Sequence, residues 1–90
     1  MTSTTQKIDF TTFVLSISSA AFMGLGLAPR PGSEKLEVDM ELARQNIDLL
    51  ELIKEKTKNN LTSDEEKLLN NLLFETQMRF VELQKQQVQK

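Results

Sequence analysis

Two pairs of carboxylates, Asp48 with Glu51 and Glu65 with Glu66, and the hydroxyls of Ser16, Ser18 and Ser19 have types and spacing that could serve acid, base or nucleophilic chemistry. A working carboxyl acid or base needs burial or a neighbouring charge to move its pKa, and both pairs fall on the solvated sides of expected helices. A serine nucleophile needs a base to take its proton, and the chain has neither His nor Cys. The same absence removes disulfides, thiolate zinc sites and the commonest metal ligand. Lys and Arg number 11 against 13 Asp and Glu, intermixed along the chain, so no basic patch awaits a nucleic-acid backbone. The expectation is a protein that is not an enzyme, with no catalytic residue, no cofactor, no metal and no nucleic-acid partner.

What the elements must instead position is apolar surface. The uncharged stretch Phe10 to Ala28 puts Phe10, Phe13, Val14, Ile17, Ala21 and Leu25 on one broad helical face, with Leu15 and Phe22 in a second strip well round the cylinder. Between the two strips Thr12, Ser16, Ala20 and Gly24 recur every fourth residue, a low ridge over which another helix backbone can come close. Asp9 is placed to cap this helix, with Ile8 stapled onto Phe13, and residues 1–8 are expected to be disordered. A signal peptide fits poorly, because the single Lys7 is cancelled by Asp9 and the apolar run continues past any cleavage site. A bilayer span over residues 10–28 is long enough, but five of those residues are Ser or Thr and two are Gly, and no Lys or Arg cluster sets an orientation.

Residues 26–38, with Pro29, Pro31 and the Gly32-Ser33 pair, form a crossover loop to which no ligand is assigned. A second helix is expected from about 39 to 58, capped by Asp39 and closed by Lys54, Lys56 and Lys58 at its negative end. Its main face is Leu42, Ala43, Leu49, Leu50 and Ile53, widened by Ile47 and Met40. Asn46 falls inside that face and needs a partner: a hydroxyl of the first helix, its own symmetry mate, or water at an edge.

Asn59 and Asn60 suit a left-handed helix end, and Thr62 with Glu65 makes a capping box for a third helix over about 62–85. So short a turn forces the last two helices into an antiparallel hairpin. Leu69, Leu73, Thr76, Phe80 and Leu83 alternate four and three apart, a coiled-coil seam expected to meet the second helix. Phe74, Val81 and Val88, with Met78 nearby, form a weaker stripe that a hairpin leaves bare. The Gln-rich residues 86–90 are expected to fray.

The runs DFTTFVLSISSAAFMGLG, VDMELARQNIDLLELIKEKTKNNLT and DEEKLLNNLLFETQMRFVEL together resemble the bacterial family catalogued as domain of unknown function eighteen forty-four. The resemblance spans roughly Asp9 to Leu83, with its most specific part in Ala43 to Leu50 and Lys56 to Thr62; Asn59 stands where the family pattern leads one to expect Gly. It implies a bacterial, small helical protein and carries over no activity, cofactor or site residue.

The expectation is therefore an all-α chain: a long antiparallel hairpin plus an apolar N-terminal helix over about 10–25, a single domain over residues 9–85, completed as an oligomeric helical bundle. Self-association is expected through Thr12, Leu15, Ser16, Ala20, Phe22, Gly24, Asn46, Phe74 and Val81, in a cytoplasmic homodimer or higher oligomer. The alternative is a small membrane-attached protein, its first helix in the inner membrane and its hairpin in the cytoplasm.

Overall fold

A computed structural model describes residues 9–29, 32 and 34–88. The disorder expected over residues 1–8 and the staple from Ile8 lie outside those residues. Among the described residues there are three helices: α1 Phe10–Gly24, α2 Met40–Lys56 and α3 Ser63–Val88.

Each helix begins where a side chain satisfies a backbone N–H that has no partner within the first turn. The Asp9 carboxylate accepts the Thr12 N–H at 2.8 Å, and Asp39 accepts the Leu42 N–H at 3.1 Å. At α3 the capping box is reciprocal: Glu65 donates its N–H to Thr62 Oγ1 at 3.1 Å, and the Glu65 carboxylate accepts the Thr62 N–H at 2.9 Å.

The cap at Asp9 is sensitive to acid. The hydrogen bond from Thr12 holds its carboxyl below the ordinary value of 3.8. Because the folded pKa is depressed, the cap's stabilisation is complete above about pH 3.8 and is lost as pH falls through the folded value. Asp9→Asn keeps an acceptor that does not titrate. Its thermal midpoint is expected to match the parent at neutral pH and to fall less on acidification below 3.8. Parallel pH profiles for the two proteins, measured by circular dichroism, would remove Asp9 from the acid response.

α1 ends in a tight reversal. Gly26 N–H donates to Met23 O and Leu27 N–H to Phe22 O, at 3.1 and 2.9 Å, while Gly26 takes φ +78°. This pair of bonds is the Schellman arrangement, and only a residue at ease with positive φ can complete it. The crossover then returns to where it began: Leu25 and Val38 form an isolated antiparallel bridge, and Asp39 N–H donates to Gly24 O at 2.7 Å. The C-terminal end of α1 is thus bolted to the N-terminal end of α2, and the two helices run antiparallel.

At this junction the backbones meet. A Cβ on Gly24 would lie 2.5 Å from Ala43 N and 2.8 Å from Asp39 O. Gly24 and Ala43 are both buried, so the small residues occupy the contact and the bulkier ones are pushed to its rims.

α2 stops at Lys56, earlier than position 58. Thr57 N–H donates to Ile53 O and the chain turns through Asn59 at φ 67°, as the asparagines there led us to expect. The hairpin is antiparallel: Gln77 of α3 donates to Glu51 of α2, and Met40 and Phe80 pack on the same cluster. α3 continues through Val88, past the end expected near 85, since Gln and Lys are good helix formers.

The core has two parts. Val14, Ala21, Ile47, Leu50, Leu69 and Leu73 form the larger; Leu25, Ala43 and Leu83 form the smaller, at the end away from the hairpin turn. The seam of α3 therefore packs into the groove between α1 and α2, and not onto α2 alone. Buried Ser18 and Thr76 are satisfied within their own helices, Ser18 Oγ donating to Val14 O and Thr76 Oγ1 to Leu72 O, at 2.9 and 2.7 Å.

Two faces sit differently from the sequence expectation. Phe13 was expected on the inner face of α1 and Leu49 on that of α2, yet they are 46% and 44% exposed. The close approach at Gly24 and Ala43 sets the rotation of both helices, so that the buried residues are Val14, Ser18 and Ala21 on α1 and Ala43, Ile47 and Leu50 on α2. Phe13 and Leu49 are left on the rims.

Candidate interaction surface

The residues expected to form one self-association surface are dispersed by the fold. Gly24 is buried in the junction with α2, within the chain. Phe22 is half-buried against Leu25, Ala43 and Leu83, so its strip is partly covered by the protein's own core. Ala20 is half-buried, while Thr12 and Ser16 face solvent, with Ser16 Oγ donating to Thr12 O at 2.9 Å. Leu15 remains exposed. Asn46 is half-buried and its Nδ2 donates to Leu42 O of its own helix at 2.9 Å, which satisfies one amide hydrogen without a second helix.

Phe74 and Val81 are different. Phe74 is 63% exposed, and Met78 and Val81 continue its line along the outer side of α3 at spacings of four and three. Nothing within the described residues covers this line. Further exposed apolar side chains occur at Leu49 and Leu52 on α2, and at Leu27, Leu36 and Val38 in the crossover. Met78 belongs to the stripe itself, and Leu52 lies outside the apolar face that the sequence leads one to expect for α2. The four-three spacing from Phe74 would have found Met78, whereas the exposure of Leu52 depends on the rotation of α2.

The carboxylates have structural employment. Asp48 stands 4.0 Å from Arg44 on an exposed helix face, Glu51 accepts from Gln77, and Glu65 closes the capping box. A cleft of about 440 Å³ opens beside the hairpin turn, with Leu61 and Leu69 among its apolar walls and Glu55, Glu66, Lys54 and Lys58 among its charged ones. Asn70 also lines it, its Oδ1 buried without a hydrogen-bond partner. Charges of both signs there select no single ionic ligand. Among the described residues no cluster of acidic side chains is grouped to hold a metal, and no helix is long and apolar enough to cross a membrane.

Three helices joined by a bolted crossover and a capped hairpin, with an apolar line left on the outermost helix, define a small all-α protein whose distinctive chemistry is its uncovered surface. The chain belongs to the domain of unknown function family DUF1844, whose model matches residues 7–82. No curated protein and no solved structure matches it.

Proposed function

We propose that this protein is a non-catalytic interaction or structural module that works by self-association. The observation that carries this reading is the line Phe74, Met78, Val81, three large apolar side chains exposed in register on a helix whose opposite face already fills the core. Scattered exposed apolar groups are ordinary on a monomer, but an ordered line of them is the mark of a surface kept for a partner. The roles already held by Asp48, Glu51 and Glu65, in surface pairing and capping, support a module without a reaction of its own.

A copy that binds another copy only when folded raises its own thermal midpoint with concentration. The midpoint of the parent protein is therefore expected to climb across a dilution series, and Phe74→Glu is expected to flatten that dependence while leaving the helical signal intact. A parent midpoint that is the same at every concentration would overturn the proposal.

A further inference from the structure

α3 carries a second seam. Lys67, Asn71, Phe74, Met78, Val81 and Lys85 alternate four and three apart along its outer side, and all six side chains are exposed. This is the register in which one helix packs along another, with apolar groups at the centre and a lysine closing each end. A stripe one side chain wide fits a cylinder laid along it.

Resting on the self-association reading, we propose that this seam pairs with the same seam of a second copy, with the two α3 helices parallel and in register. The flanks of the seam give the orientation. One flank carries no charge on α3 itself, Asn70, Gln77 and Gln84, and α2 adds one charge of each sign beside it, Lys54 and Glu51, in the groove lined by Asn70, Phe74 and Gln77. The other flank is acidic, with Glu75 exposed and Glu82 held at 3.2 Å by Arg79 of its own helix. In a parallel pair the uncharged flank of each helix faces the acidic flank of the other, and the Glu75 carboxylate of one copy meets the Asn70 amide of the other. In an antiparallel pair the acidic flanks face each other, which costs energy through like-charge repulsion.

Asn71 points the same way. It lies one heptad before Met78, so in a parallel pair it meets its own symmetry mate, the amide pairing that specifies two parallel strands. In an antiparallel pair it would face an apolar side chain and lose its hydrogen-bond partners. The apolar line is small beside the roughly 800 Å² per partner of a standard interface, which places this dimer at the weak end. Covalent trapping suits such an equilibrium.

The chain has no cysteine, so single substitutions report cleanly. Met78→Cys and Phe74→Cys are each expected to form a disulfide-linked dimer on mild oxidation, because in-register parallel helices bring like positions within disulfide reach. The yield should exceed that of Ser19→Cys, on the solvent side of α1, by roughly tenfold or more. Circular dichroism of the reduced variants verifies that they fold. A disulfide that forms only when Met78→Cys and Phe74→Cys are mixed would replace the parallel pair with an antiparallel one and overturn the proposal. Yields equal to the Ser19→Cys control would overturn it too. Sedimentation of the parent protein then separates two failures: mass that grows with concentration keeps self-association and moves it off α3, whereas a constant monomer mass removes both.

Discussion

Leu50→Ala is expected to cost about 3 kcal/mol or more, the largest single loss foreseen for this fold. Leu50 is 0% exposed and lies among Val14, Ala21, Ile47, Leu69 and Leu73, where all three helices meet. Truncating it removes the transfer energy of the side chain and leaves a cavity that three helices fixed at their ends cannot fully close, a combination that costs about 2–5 kcal/mol. Against the roughly 5–15 kcal/mol that separates folded from unfolded states, that is a large share. Urea unfolding should show a lower midpoint at an unchanged slope. Leu49→Ala, one residue away at 44% exposure, should cost less than about 1 kcal/mol. If the two substitutions cost the same, the inward face of α2 is centred elsewhere.

Gly24→Ala is expected to destabilise by about 2 kcal/mol, against the direction that helix propensity alone would give. In a helix interior, Ala is favoured over Gly by about 1 kcal/mol. The new methyl here would stand 2.5 Å from Ala43 N, 2.8 Å from Asp39 O and 2.9 Å from Ala43 Cα. These are backbone atoms, so relief requires α1 and α2 to part, and parting them strains the Asp39 N–H bond to Gly24 O. Overpacking of this kind typically costs about 1–3 kcal/mol, at its upper end where only backbone can yield. The thermal midpoint should drop by roughly 10 °C in a domain of this size. An unchanged or raised midpoint would mean that the two backbones do not meet at Gly24.

What sequence made legible was chiefly local. The Asp9 and Asp39 caps, the Thr62 and Glu65 box, the left-handed Asn59 and the antiparallel hairpin all depend on residues a few positions apart, and all are present. The rotation of each helix was not legible. The apolar arcs of α1 and α2 are wider than the contact between them, so the pattern fits several rotations. The fold selects one through the Gly24 and Ala43 approach, a tertiary event. For the same reason the Thr12, Ser16, Ala20, Gly24 ridge looked like a single surface. Of its four members only Gly24 is fully buried, and the other buried residues of α1 are Val14, Ser18 and Ala21, off the ridge. The outer stripe of α3 was visible from its seven-residue recurrence, because α3 is long enough to show two seams on opposite sides.

The most direct measurement of the central claim is sedimentation equilibrium of the parent protein over a dilution series in detergent-free buffer. The account predicts a mass that rises with concentration from the 10.3 kDa of one chain towards twice that value. A mass of 10.3 kDa at every concentration would contradict it.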